Sequence, residues 1–285
     1  MLAVIGGSGV YDLEDADQRE IIEVETPFGR ASGPVHKTRI DQTDVLFLAR
    51  HGRGHVYSPT SVPYRANVFA LRKLGATHLI SLSAVGSLRD ELPSRSLVTP
   101  DQIIDRTVHR QHTFFESGVV AHVGLAEPFC TCLRASLGEA AALANHPARG
   151  GGTYLCIEGP QFSTRAESQL YRSWGATVIG MTAMPEARLA REAGLCFAML
   201  AMVTDYDVWH DAEEDVSVEV VTSNLRANTQ AAQAIIRQVV AGGLPERECK
   251  CASSLEQAIM TEPDRIPDDA KNWIRVLTGR RLEAV

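Results

Sequence analysis

Short apolar runs alternate along this chain with segments whose apolar residues recur every three to four positions. LAVI (2–5) reads as a buried strand that ends in the turn Gly6-Gly7-Ser8-Gly9, and DVLFLAR (44–50) reads as a strand running into HGRGH. Residues 64–76 have helical spacing and a glycine stop, and THLISLSAVGS (77–87) is a third strand. The stretch 97–105 contains Pro100, which suits a sheet edge better than a centre. Residues 106–128 show neither period, and a loop of that length in a compact domain usually serves a site or an interface.

A helix is expected over 130–146, then a strand over 152–160. The next helix opens with a capping box, Thr164 with Glu167 three positions on. A strand over 177–184 leads to Pro185, placed as the first residue of a helix. CFAMLAMVT (196–204) is the last strong strand. The helix 216–241 carries Val218, Val221, Leu225, Ala232, Ile235 and Val239 on one stripe. A polar connection, 244–264, precedes a final helix at 267–279. Alternating strand and helix predicts an α/β fold, a mostly parallel sheet flanked by helices. No repeat or low-complexity linker interrupts it, so 1–285 reads as a single domain with a C-terminal helical segment at about 244–285.

Composition narrows the function. The 285 residues supply ample core, and 45% hydrophobic with 22% charged residues is ordinary for a soluble globular protein. A net charge of −7 argues against a nucleic-acid partner, whose phosphates are bound by an excess of Lys and Arg. No apolar run approaches the roughly 20 residues that span a bilayer. MLAVIGGSG lacks the basic start of a signal peptide, so the expectation is a cytoplasmic protein without a membrane partner. The cysteines at 130, 132, 156, 196, 249 and 251 lack the paired C-x₂₋₄-C spacing of zinc sites, so no metal is expected. Cys156 and Cys196 read as small buried hydrophobes, and ECKC (248–251) as an exposed, reduced pair.

Ligands in open α/β sheets gather at the carboxyl ends of strands. The strands here end in Gly6-Gly7-Ser8-Gly9, in Arg50-His51, in Ser83-Ala84 with Gly86, in Phe162-Ser163, in Met181-Thr182, and in Asp205 with Asp207. Amides, hydroxyls and an Arg fork suit a phosphate. An aromatic face and two carboxylates suit a heterocycle with ring N–H or amino groups. Each piece alone also fits a plain turn, a solvated loop or an N-cap. The coincidence at six strand ends is what points to one pocket.

The motifs VIGGSGVYDL, TPFGRASG, LARHGRGH, VPYRANVFAL, SAVGSL, CIEGPQFSTRAES and WGATVIGMTAMPEARLAREAGLCFAMLAMVTDYDVW resemble, in order, the methylthioadenosine phosphorylases among the trimeric purine nucleoside phosphorylases. The likeness runs from about residue 3 to 240. It implies a central mixed sheet, a homotrimer or a dimer of trimers with sites near subunit boundaries, and cleavage of a purine nucleoside by inorganic phosphate, with no cofactor. By motif, Ser8, Arg50, His51, Ser83, Ala84 and Thr182 match phosphate-binding positions. Phe162, Ser163, Asp205 and Asp207 match the purine pocket, and Met181 the ribose position. Val218, Val221 and Thr222 match the pocket for the 5′-substituent, and His122 the position that a neighbouring subunit lends to it. Ser8 and Ser83 stand where Thr is common, Pro63 where Asn is frequent, and Thr222 where a larger apolar residue is common.

Hydrogen-bond logic selects the base. Relatives that take 6-oxopurines have Glu where Ser163 stands and Asn where Asp205 stands. Ser163 can donate to the unprotonated N1 of adenine, and the Asp207 carboxylate can accept from its amino group. Asp205, if protonated, donates to N7 as general acid while phosphate attacks C1′ from the opposite face. Its apolar setting and a second carboxylate nearby favour that proton. The resemblance thus implies phosphorolysis of S-methyl-5′-thioadenosine. The alternatives are a preference for adenosine, for another 5′-substituted adenosine or for a 6-oxopurine nucleoside.

Overall fold

The computed structural model describes residues 1–7, 17–116, 118–210 and 218–279, without the side chains of 17–19 and 218–223. Its elements, in chain order, begin with strands β1 (Leu2–Gly6), β2 (Asp17–Ile22), β3 (Val35–Ile40) and β4 (Thr43–Ala49), then helix α1 (Tyr64–Lys73). Next come β5 (His78–Ser87), β6 (Leu97–Thr99), β7 (Gln102–Asp105), α2 (Thr131–Leu143), β8 (Ala148–Gly150), β9 (Thr153–Cys156) and α3 (Arg165–Ser173). The chain continues through β10 (Val178–Gly180), α4 (Ala183–Glu192), β11 (Cys196–Tyr206), α5 (Val218–Ala241) and α6 (Asp268–Thr278).

The strands join one mixed sheet, ordered β2-β3-β4-β1-β5-β10-β9-β7, with β11 pairing β5 and β6, and β8 pairing β6. The pairs β1–β4, β1–β5, β5–β11, β9–β10, β6–β8 and β7–β9 are parallel; β2–β3, β3–β4, β5–β10 and β6–β11 are antiparallel. β1 is buried throughout and β11 is buried from Cys196 to Asp205. Such strands are apolar on both faces because helices cover both sides of a parallel sheet. Helix α3 has the expected capping box, with Thr164 and Glu167 each satisfying the other's backbone N–H. Helix α6 ends at Gly279, whose φ of 68° is the left-handed conformation that glycine adopts at no steric cost.

Three features depart from the pattern-based expectation. β2 and β3 are strands the apolar count does not see, because their outer positions are charged: Lys37 and Arg39 pair with Asp44 on the neighbouring strand. Pro100 splits 97–105 in two. Only β7 lies at the end of the sheet, while β6 sits between β11 and β8. The ECKC pair is not an exposed loop, since Cys251 is 2% exposed and Cys249 is half-buried. Residues 106–128 do form a long loop. Arg110 anchors it with hydrogen bonds to the carbonyls of Ile157, Glu158, Met181 and Met184 and an ion pair to Glu158 at 3.0 Å. Among the described residues no helix is long and apolar enough to cross a membrane.

Candidate active site

The carboxyl ends of β1, β4, β5, β10 and β11 converge on a cavity of about 330 Å³. Parallel pairing of β1, β4 and β5 aligns their ends, and Arg50 N–H donates to the Gly6 carbonyl where β4 gives way to the HGRGH turn. The lining divides by chemistry into two walls, Arg50, His51, Ser83, Ala84 and Thr182 making one and Phe162, Ser163, Asp205 and Asp207 the other, and Met181 lines the cavity as well.

Arg50 is 2% exposed, and most of its donors are already committed. Nε donates to Glu186 Oε1 at 2.5 Å and Nη2 to Glu186 Oε2 at 3.1 Å and Ser81 Oγ at 2.8 Å. Nη1 donates to the Leu82 carbonyl at 3.0 Å. A guanidinium has five N–H donors, so one Nη1 hydrogen remains for the cavity. The free bidentate fork expected from the sequence is therefore corrected: the fork grips Glu186, which is fully buried. Ser83 Oγ lies 3.2 Å from Thr182 Oγ1 and 3.3 Å from the Tyr154 hydroxyl, forming a chain of hydroxyls on the same wall. Gly180 is required beside it, because a Cβ there would overlap the Tyr154 hydroxyl.

His51 Nδ1 lies 2.8 Å from the Tyr57 carbonyl, which can only accept, so Nδ1 carries the proton. Burial, with the Arg50 charge beside it, pulls the His51 pKa down to about 4. At neutral pH the ring is uncharged and Nε2 offers a lone pair. His55 stacks on it at 4.2 Å.

On the other wall β11 runs through Tyr206, and its register against β5 shifts at Thr204, so that Asp205 faces Gly86. The shift brings Asp205 (6% exposed) and Asp207 (4%) to the cavity together. Gly86 leaves them room: a Cβ would come within 3.2 Å of Asp205 Oδ1 and 3.3 Å of Asp207 Cβ. Thr204 Oγ1 lies 2.6 Å from Asp205 Oδ2 and 3.2 Å from the Val85 carbonyl. Ser163 Oγ is buried without a hydrogen bond among the described residues, and Asp207 Oδ2 makes none of good geometry, although the Ser168 hydroxyl and the Val208 N–H act on the Asp207 carboxyl. Burial pushes the Asp207 carboxyl above its ordinary value. Buried polar atoms rarely go unsatisfied, and the unpaired Ser163 hydroxyl beside the incompletely paired Asp207 carboxyl suits a ligand that accepts from one and donates to the other.

Residues 1–241 match the phosphorylase superfamily. The chain belongs to that family. It is 49% identical over 280 residues to the S-methyl-5′-thioadenosine phosphorylase of Geobacter sulfurreducens, covering 98% of each chain. It is 47% identical to that of Cereibacter sphaeroides over 99% of both. Among solved structures, a methylthioadenosine phosphorylase from an antarctic soil metagenomic library superposes with a TM-score of 0.91 at 42% identity, covering 97% of this chain and 98% of that one. A Schistosoma mansoni methylthioadenosine phosphorylase in complex with adenine gives 0.80 at 36% identity, covering 84% and 90%.

Of the sequence-predicted site residues, Arg50, His51, Ser83, Ala84, Thr182, Met181, Phe162, Ser163, Asp205 and Asp207 meet in the cavity. His122 does not: it is exposed on the long loop, its N–H bound to the Ala258 carbonyl. Ser8 lies outside the described residues, as do the side chains of Val218, Val221 and Thr222, although their helix α5 reaches the cavity with Leu225. Sequence reasoning missed Glu186, Ser81, Tyr154, Thr204 and His55. An acid in the first turn after Pro185 was the available signal for Glu186, but helix starts commonly hold acids for the dipole alone.

Proposed function

We infer that the chain catalyses phosphorolysis of S-methyl-5′-thioadenosine to adenine and 5-methylthioribose 1-phosphate. The observation that carries this reading is one cavity with two chemically different walls. Hydroxyls, a buried cation and a neutral histidine lie on one, and two buried acids with a serine on the other. The anion wall fits inorganic phosphate: Ser83 and Thr182 donate, Arg50 Nη1 supplies a charge-assisted bond, and His51 Nε2 accepts from a phosphate O–H. No resident cofactor or metal is needed for this reaction, in which phosphate is the co-substrate.

The base wall fits adenine. Ser163 Oγ donates to N1, Asp207 Oδ2 accepts from the amino group, and the Phe162 ring covers a face of the purine. Asp205 is the general acid. Thr204 Oγ1 donates to Asp205 Oδ2 at 2.6 Å and fixes the orientation of the carboxyl group at the cavity. As the C1′–N9 bond breaks, negative charge flows into the purine and N7 becomes basic. Asp205 gives it a proton while phosphate closes on the cationic C1′ from the other wall. Such a proton transfer is worth about 10²–10⁴-fold.

The 5′-methylthio group is assigned to the start of α5, the helix that brings Leu225 to the cavity. The homotrimer is part of the same proposal, with His122 lent across a subunit boundary. Leu170 and Trp174, 47 and 44% exposed on and just after α3, are an apolar surface that such an assembly would cover. We also take residues 1–285 as one domain, since α6 sends Ile274 and Leu277 into the same core as β1 and β5. The test is a panel of methylthioadenosine, adenosine, inosine and methylthioinosine, each assayed with and without phosphate. Adenine release from methylthioadenosine that depends on phosphate is expected. Equal turnover in its absence would mean hydrolysis, and faster inosine cleavage would refute the reading of the base wall.

A further inference from the structure

At the opposite end of β11 from the two acids lies a second cluster of reactive side chains. Cys196 is the first residue of that strand. Cys130 caps α2, its sulfur accepting the Leu133 N–H at 3.5 Å. Cys249 and Cys251 come from the irregular segment after α5. These three stretches are far apart in the chain, yet the four sulfurs all lie within 4.8 Å of one another. Cys249 Sγ is 3.6 Å from Cys130 Sγ and 3.4 Å from Cys196 Sγ. Cys130, Cys196 and Cys251 are at most 2% exposed, and all four are free thiols.

We propose that Cys130, Cys196, Cys249 and Cys251 form a closed, four-sulfur site for one soft divalent cation, zinc in the first instance. A tetrahedron with zinc–sulfur bonds of about 2.3 Å has edges of about 3.8 Å, within a few tenths of the Cys249–Cys130 and Cys249–Cys196 separations. The donor set is sulfur alone, with no carboxylate or imidazole in the group, which selects zinc or iron over magnesium or calcium. Four protein ligands leave no open position, so the site is structural and not catalytic.

Its charge is provided for. Four thiolates around a dication carry a net charge of −2, the four displaced thiol protons leaving to solvent. Buried charge needs partners. Arg191 Nη1 lies 3.5 Å from Cys251 Sγ, and the Arg247 guanidinium lies against Cys196. Nine strand steps, about 30 Å at roughly 3.3 Å each, separate Cys196 from Asp205, so the cation takes no part in the reaction. What it does is tie the segment after α5 to the start of β11 and the cap of α2. The spacing rule applied to the sequence overlooks this set because only two of the four ligands are neighbours in the chain.

The test is elemental analysis of the full-length protein, purified under reducing conditions without a metal-affinity tag. About one zinc per chain is expected, absent from the Cys249→Ser/Cys251→Ser variant. Stripping the metal with a strong chelator should lower the melting temperature by roughly 5 °C or more while leaving turnover at low temperature unchanged. As a readout independent of the double variant's folding, cobalt is added to the stripped wild-type protein as well. Thiolate-to-cobalt charge-transfer absorption saturating at one cobalt per chain supports the site. A reduced protein that takes up neither zinc nor cobalt overturns it. So does an intact mass lighter by one or two pairs of hydrogens, which would show that the same thiols are held as disulfides.

Discussion

The two walls of the cavity differ in how completely they are paired before any substrate arrives. On the phosphate wall Arg50 is locked to Glu186 and Ser81, and Ser83, Thr182 and Tyr154 bond one another. On the base wall Ser163 Oγ is buried without a partner among the described residues, and Asp207 Oδ2 is paired only poorly, with Ser168 its neighbouring hydroxyl. The first wall is a piece of the fold that, on the proposed function, also holds the phosphate. The second is less completely paired, and on the proposed function the nucleobase completes it. Damage to the one should therefore appear as unfolding, and damage to the other as lost recognition or chemistry.

The largest effect is expected at Asp205. Asp205→Asn keeps the shape and the contact to Thr204 but removes the transferable proton. Its kcat on methylthioadenosine should fall about 10²–10⁴-fold with an unchanged melting temperature. An equal loss of stability would erase the distinction between the walls. Glu186→Gln comes next and is its mirror image. It leaves the Arg50 charge buried beside a neutral partner, which should cost about 3 kcal/mol in urea unfolding. A loss of less than about 1 kcal/mol would place the pair with ordinary surface ion pairs and break the comparison.

Asp207→Asn should weaken adenine binding by about 1–3 kcal/mol, roughly 5- to 150-fold by calorimetry, without destabilising the fold. Its pH dependence has two signs. Because burial raises the folded-state pKa, the contribution of Asp207 to folding stability is present below the unfolded value of 3.8 and lost as pH rises through the folded value. Adenine affinity should move the other way, rising over the same window as the acceptor ionises, and both trends should vanish in the Asn variant. The smallest effect belongs to Ser163→Ala, about 1 kcal/mol in adenine affinity, with the KM for phosphate unchanged.

The same contrast explains what the sequence could disclose. The base wall was legible because Asp205 and Asp207 follow a continuous apolar run, where a carboxylate has no structural reason to be. Most of the phosphate wall was legible too, as polar residues placed at successive strand ends. Glu186 was not, because its partner Arg50 is 136 positions away and an acid in the first turn of a helix is unremarkable locally. The edge strands β2 and β3 escaped because charged outer faces hide their two-residue period. The four converging cysteines escaped for the reason Glu186 did: the fold, and not the local pattern, brings them together.

The central claim is that both walls act at once on one substrate. A crystal structure of the protein with adenine and phosphate bound together tests it most directly. Phosphate should lie against Ser83, Thr182 and His51, and adenine should sit with N7 within about 3.2 Å of an Asp205 oxygen and its amino group on Asp207. Phosphate bound outside this cavity, or adenine bound with N7 turned away from Asp205, would contradict the account.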